Sequence, residues 1–564
     1  MNRKTRLVLI AVAALAIPLL VLSASRAGRT SAQDEQKTRT SASAQKSRQQ
    51  RGMKPVVTQA SNFAESIPVR DIPEVVVETH KGKKVVVRER DERKGVETEA
   101  ATEEENAPGK EINEQNRELI RHVDETAART ADAALSSDNA SSQRPGTAQV
   151  PPAPSVSFEG LSIADTIAIG QGFLPPDTNG DVGPSHYVQS VNSAFRIWDK
   201  SGTPLTPVTS LGALFGPIAG ACSGSEDGDP IVLYDQLADR WMISEFCTVA
   251  NPNNHQLIAV SKTGDPTGAY YLYDFLMPNN KFNDYPHFGM WPDAYYMTDN
   301  QFNQAGTAFL QAGAFAFDRT KILKGDPTAS YVYFDTAVLF PPGGANGTDG
   351  IGGMLPADLD GFTPPPAGQP APFSYFQAGE FGDPGDFVRL FDFHVDFTTP
   401  ANSTFTERTG SPLAVAAFDP VTVPNSRNVI PQPAPATASS YLDAIGDRLM
   451  FRLAYRNFGD HEALVANHTV NAATNPAYRA GARVYQLRRA TPGAAWTIDV
   501  QTTWAGLAGD TEHRWMGSAA QNYLGDLALG YSTSSTTVFP SVRYAARLAG
   551  DPLGSGLAQG EQTI

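Results

Sequence analysis

The sequence predicts an all-β fold, a β-propeller of about six to seven blades, preceded by a signal peptide and a largely disordered N-terminal segment. Three observations predict it. Beyond residue 155, runs of 5–10 residues rich in aromatic and β-branched side chains alternate with Gly, Pro, Asn and Asp clusters, the punctuation of strands and turns. A two-strand signature recurs along that stretch, an apolar run, a short turn, then a longer run rich in Tyr, Trp or Phe. No segment there carries a long helical period.

The chain opens on a basic hexapeptide, "MNRKTR", followed by the apolar run "LVLIAVAALAIPLLVLSA" and small-residue cleavage sites after Ala27 or Ala32. This pattern reads as a secretory signal over 1–27, with an uncleaved membrane anchor as the alternative. No cysteine follows the run, which excludes a lipoprotein anchor. Residues 28–154 pass through charge runs such as "RERDERKGVETEAATEEE" and hold one aromatic residue, Phe63. Such a segment buries too little apolar surface to offset its chain entropy, so it is expected to be disordered. Two local exceptions are a hairpin in "EVVVETHKGKKVVVRER" and a short helix within 110–135. "SSQRPGTAQVPPAPS" then reads as a Pro-rich linker, and the propeller domain spans 155–564.

The repeated signature appears as "GDVGPSHYVQSVN" from Gly180, "DPIVLYDQLADRWMISEF" from Asp229 and "HFGMWPDAYYMTDNQF" from His287. It returns as "LPADLDG" with "APFSYFQAGEF", as "YLDAIGDRLMFRLAYRNF" from Tyr441, and as "RWMGSAAQNYLGDLALGYSTSS" from Arg514. A further run often follows, such as "FRIWDKSG", "GAFAFDRTK" or "ARVYQLRRA". One small sheet is unstable alone, but stacking such sheets around an axis covers both faces. That explains runs that are almost continuously apolar. A pair of β-sandwiches is the alternative architecture.

These strings resemble a poorly characterised family of exported bacterial β-propeller proteins. The marks are "DTNGDVGPSHYVQSVN", "GDPIVLYD" with "DRW", "DYPHFGMWPDAYY" and "YRNFGDHEALVANHTV", with "RWMGS" and "FPSVRY" near the end. The resemblance covers about residues 160–560. It implies a propeller and an exported compartment, and no catalytic residues. Members usually continue past a "GSQT"-like string, so the closing "GEQTI" is expected to mark either a truncated final unit or a ring closed in an unusual way.

The chain of 564 residues carries a net charge of −15, which argues against nucleic acid as a partner. Its two cysteines, Cys222 and Cys247, are expected to pair as a disulfide in an exported protein. Asp177, Asn179 and Asp181 have the D-x-N-x-D spacing of a calcium loop, but Val182 and Val188 stand where an EF-hand needs Gly and Glu. A non-EF calcium site or a turn into the first strand both remain readings; no other cofactor is expected. His461 and His468 are seven residues apart, on opposite faces of a strand, so they do not share a metal. There is no nucleophile elbow, phosphate loop or dinucleotide fingerprint.

The candidate ligand site is an axial funnel lined by residues at the starts of the first strands. These are Asp181, Asp229, Asp284 with His287, Asp358, Asp443 and Arg514. The alternative role for them is to cap strand ends and bond neighbouring sheets. The expected function is a non-catalytic binding or scaffold protein at the cell surface or outside the cell, with a glycan or surface protein as partner. The alternative is a secreted hydrolase or lyase acting on polysaccharide through axial carboxylates.

Overall fold

The computed structural model describes residues 53–74, 89–91, 96–98, 131–135 and 151–564, except 171–172, 174, 249–252, 305, 340–350, 421–427, 434–439, 474–477, 491–492, 507–508 and 553. The expected signal segment, most of the 74–90 hairpin and most of the 110–135 helix lie outside these residues. Among the described residues no helix is long and apolar enough to cross a membrane.

The body is all-β and propeller-like. Antiparallel meanders follow one another along the chain, and their innermost strands are successive neighbours around a common axis. Those inner strands are Asn179–Val182, Ile231–Asp235, Phe282–Met290, Leu355–Asp360, Met450–Asn457 and His513–Gln521. The meanders are called first to sixth in that order. The stretch from Pro175 to Gly202 forms the first three strands of the first meander, then turns at Gly202. Asp199 makes that turn, its Oδ1 accepting from the N–H groups of Ser201 and Thr203 at 2.8 and 2.9 Å. Asp235 does the same in the second meander, accepting from Leu237 and Ala238.

The second strands of the third and fifth meanders, Ala294–Phe302 and Glu462–Asn471, are buried along their whole length. Both faces pack against neighbouring sheets, so a period of two has no solvent face to mark. The inner strands of the fourth and fifth meanders lie close enough to pair directly, in parallel, with Ala357 to Asp360 opposite Leu453 to Arg456. Between the third and fourth the approach is also close. A Cβ at Gly289 would stand 2.4 Å from the carbonyl oxygen of Ala357, so only glycine fits there.

One repeat is displaced from its expected place. "YLDAIGDRLMFRLAYRNF" does not form a hairpin. Its second half, Met450–Asn457, is the inner strand, and it pairs with Glu462–Asn471 across the turn "FGDH". The Asp443 segment instead forms a short ribbon, Leu442–Asp443 against Asn428–Ile430. Gly459, with φ 91°, supplies the left-handed residue of the true turn.

The expected disorder of 28–154 is corrected at two places. Residues 53–74 form a strap. Val56–Gln59 adds an antiparallel strand to the outer edge of the third meander, beside Ser330–Asp335. Asn62–Glu65 does the same for the second, beside Tyr270–Leu276. Phe63 sits on Tyr273 with ring centroids 5.2 Å apart, and Val69 is fully buried in the core of the first and second meanders. Residues 131–135 lie on the fifth meander. Ala134 O accepts from Thr503 N at 2.7 Å, and Asp132 pairs with Arg483 in a fully buried contact. Aromatic poverty hid the strap, because one phenylalanine and one valine anchor it.

Deleting residues 1–74 therefore uncovers two strand edges and empties the Val69 site. The expected outcome is a clear fall in thermal midpoint. Val69→Ala in the full chain should cost about 1–3 kcal/mol in urea unfolding. Unchanged stability in both would refute a structural role for the strap.

Candidate functional site

Apart from the fourth and fifth, the inner strands are joined through side chains. Asn179 and Asp181, two residues apart, face the same way off the first inner strand. Asn179 Oδ1 accepts from Val232 N at 2.9 Å and Asp181 Oδ2 from Tyr234 N at 2.7 Å. Asp229 Oδ2 accepts from Tyr285 N at 2.9 Å, and Asp358 Oδ1 from Met290 N at 2.8 Å. The predicted funnel residues Asp181, Asp229 and Asp358 thus bond neighbouring sheets, the structural role weighed for them.

Three of the axial carboxylates also share a cation. Arg452, on the fifth inner strand, ion-pairs with Asp358 and with Asp360 of the fourth, and its charge acts on Asp181. Asp358 and Asp360 are two apart on one strand and reach the same guanidinium. Burial raises the Asp181 carboxyl, against the pull of Arg452. Burial likewise pushes Asp358 up to about 6, Arg452 opposing it. The flanking carboxylates hold the Arg452 guanidinium well above its ordinary value, outweighing its burial. Tyr187 is raised as well, first by burial and then by the charge of Asp181.

A second group lies midway along the third inner strand. His287 is 7% exposed and stacks on Phe451, with centroids 5.0 Å apart and planes 19° from parallel. Tyr285 meets it edge-on at 4.1 Å, and neither ring nitrogen has a hydrogen-bond partner among the described residues. Burial, with Arg448 adding to it, pushes His287 down to about 3. Arg448 is held by Asp447 at 2.8 Å and lies over the Tyr285 ring. Asp284 is buried on the same strand.

The remaining predicted residues stand apart. Asp443 accepts from Ile445 N in its ribbon, off the inner strands. Arg514, buried on the sixth meander, pairs with Asp510 and Glu561. Asp177 accepts from Asn192, while Asn179 and Asp181 turn to the second inner strand, so the trio is divided among separate partners. Cys222 and Cys247 form the expected disulfide, with Cα atoms 6.0 Å apart. Asp360 and Arg452 escaped sequence reasoning. A charged residue inside "LMFRLAY" and the i, i+2 carboxylates of "ADLD" were the available signals.

No protein-family model matches the chain, and no curated protein matches it. Solved structures with some similarity include an α-L-arabinanase from Penicillium chrysogenum complexed with arabinobiose. It is 9% identical, with 67% of this chain and 96% of that one covered and a TM-score of 0.30. An α-L-arabinanase mutant from Cellvibrio cellulosa is 7% identical, covering 65% and 90% at a TM-score of 0.26. An exo-1,5-α-L-arabinanase from a bovine ruminal metagenomic library is 10% identical, covering 65% and 92% at 0.24. All three are named as arabinanases. Those names speak against the non-catalytic binding or scaffold role expected from the sequence, which is not carried further. At TM-scores of 0.30 and below these likenesses carry no argument about residues, so the site rests on this chain's own geometry.

Two outcomes follow from the charges. Arg452→Met strands Asp358 and Asp360 without a cation, so unfolding free energy in urea should fall by about 3–5 kcal/mol. Adding Asp358→Asn and Asp360→Asn should recover part of that loss. His287 protonates near pH 3 when folded and near pH 6.5 when unfolded. The unfolded chain therefore binds the extra proton between these values, and stability drops as pH falls through that window, by about 1.4 kcal/mol per pH unit for this group. His287→Phe keeps the stack on Phe451 and should flatten that part of the pH–stability curve; an unaltered curve would refute the assignment.

Proposed function

We propose that the chain is an exported hydrolase or lyase acting on polysaccharide, with its site on the axis of a six-bladed propeller. The observation that carries this reading is the axial set itself, Asp181, Asp358 and Asp360 around Arg452. Glycan cleavage needs one carboxyl that holds a proton and one that stays ionised. Asp181 is partly exposed and its pKa is raised by burial, which suits the acid. Asp360, also partly exposed and beside Arg452, suits the carboxylate. Asp358 is 3% exposed and spends its oxygens on Met290 N and Arg452, so it positions the guanidinium. Arg452 then offers charge to an anionic sugar or to a developing oxyanion.

The exported compartment is supported by the Cys222–Cys247 bond and by the N-terminal signal read from the sequence. Six blades are supported by the six inner strands and the outer strands that follow each.

The experiment is a panel of arabinan, galactan, xylan and pectic substrates. Reducing ends report hydrolysis, and ultraviolet absorbance of unsaturated uronates reports elimination. Turnover is expected on at least one substrate, falling by about 100-fold or more in Asp181→Asn and Asp360→Asn at little change in thermal midpoint. No turnover on any substrate, or turnover indifferent to both substitutions, overturns the proposal.

A further inference from the structure

The disulfide lies beside two metal-ligating side chains that the axial site does not use. Strand register brings them together. Cys247 is directly opposite His255 on the second meander's next strand. His255 is opposite Leu276, and Asp274, two residues before Leu276, is opposite Leu257. Directly opposed residues share a face, and so do residues two apart on a strand. Cys247, His255 and Asp274 therefore stand on one face of three adjacent strands. Cys222 reaches that face from the loop before the second meander.

The donor atoms are close. Cys222 Sγ, a ring nitrogen of His255 and a carboxylate oxygen of Asp274 lie within 4.8 Å of one another, with Cys247 Sγ bonded to the first. His255 Nδ1 and Asp274 Oδ1 are 2.6 Å apart. Cys222, Cys247 and Asp274 are each 2% exposed or less. Asn62, from the strap, donates to the other Asp274 oxygen at 2.7 Å and fixes the carboxylate from outside. A second-shell bond of this kind orients a metal ligand.

We propose that reduction of the Cys222–Cys247 bond converts this locus into a four-donor site for a divalent cation of zinc type. A dithiol supplies two electrons and two protons and ends as a disulfide; a phosphine supplies the two electrons and ends as its oxide, water supplying the oxygen and the two protons; either gives two thiols. The cation then binds both sulfurs as thiolates, and their two protons pass to solvent. Two thiolates, an imidazole and a carboxylate make a tetrahedral set suited to zinc, whereas a hard cation such as magnesium or calcium wants only oxygen. One locus thus fastens the Cys222 loop in two ways, by a covalent bond when oxidised and by a metal when reduced. The proposal stands apart from the axial site.

Cobalt(II) is the probe, titrated into the full chain reduced anaerobically with a phosphine, with excess reductant removed. One equivalent should give thiolate-to-cobalt charge transfer and the visible bands of tetrahedral cobalt, which zinc displaces. The oxidised chain and the Cys222→Ser, Cys247→Ser double variant should give neither. Affinity should fall by about 10-fold or more in His255→Ala and Asp274→Asn, and by about 10–100-fold in Asn62→Ala. Near-ultraviolet circular dichroism and thermal midpoint follow the fold in parallel. Zinc should raise the midpoint of the reduced chain and leave that of the oxidised chain alone. A folded reduced chain without the bands overturns the proposal. So do bands indifferent to His255 and Asp274, or a reduced chain that unfolds and is not restored by zinc.

Discussion

The fold depends on one kind of bond, a short polar side chain of one meander accepting from a backbone N–H of its neighbour. Among the described residues, only the fourth and fifth meanders bring their inner strands close enough for a backbone ladder. Elsewhere the neighbouring N–H groups would be buried without partners, at about 1–3 kcal/mol each. Asn179, Asp181, Asp229 and Asp358 take up those donors, and Asn300 adds another from Gly353 N at 2.9 Å. Asp and Asn suit the task because the acceptor sits one carbon from Cβ and needs little ordering. The acidity at the starts of the first strands is thus part of the construction of the ring.

That construction sets the electrostatics of the axis. Each stitched junction brings in a carboxylate, and the junctions converge. At the fourth and fifth strands Asp358 and Asp360 meet one cation, Arg452, with Asp181 within reach of its charge. Burial raises Asp181 and Asp358 despite the arginine. The structural and chemical roles are therefore not alternatives. The bond from Tyr234 N that joins two sheets is also the bond that holds the Asp181 carboxyl in a fixed place, which a general acid requires.

The strand order was legible because hairpin turns carry local chemistry. "DQLAD" and "WDKSG" contain the aspartates and glycine that close them, and the flanking strands followed. In the fifth repeat "AIGD" imitates such a turn, while the real one, "FGDH", follows Met450–Asn457. That imitation moved Asp443 onto the axis and left Arg452 unnoticed. Arg514 was misplaced for another reason. Position in a repeat shows which strand a residue belongs to, but its partners, Asp510 and Glu561, hold it in the sixth sheet. No local pattern reports a pairing across 47 residues. The same holds for Asp358 and Arg452, 94 apart.

The strap shows where composition fails as a guide to order. A mean over 28–154 is dominated by charge runs, and within it 53–74 is diluted. What orders this segment is an existing edge. The outer strands Tyr270–Leu276 and Ser330–Asp335 present unpaired backbone groups that any short extended segment can satisfy, and an edge left open invites another chain. Such a segment needs few apolar residues, because the main chain supplies most of the attraction. Phe63 and Val69 then set the register. Their partners lie some 200 residues downstream, so the strap can dock only after the second and third meanders exist. Once docked, Asn62 reaches Asp274 and through it His255, so the ordering of the N-terminal segment and the geometry beside the Cys222–Cys247 bond are physically joined.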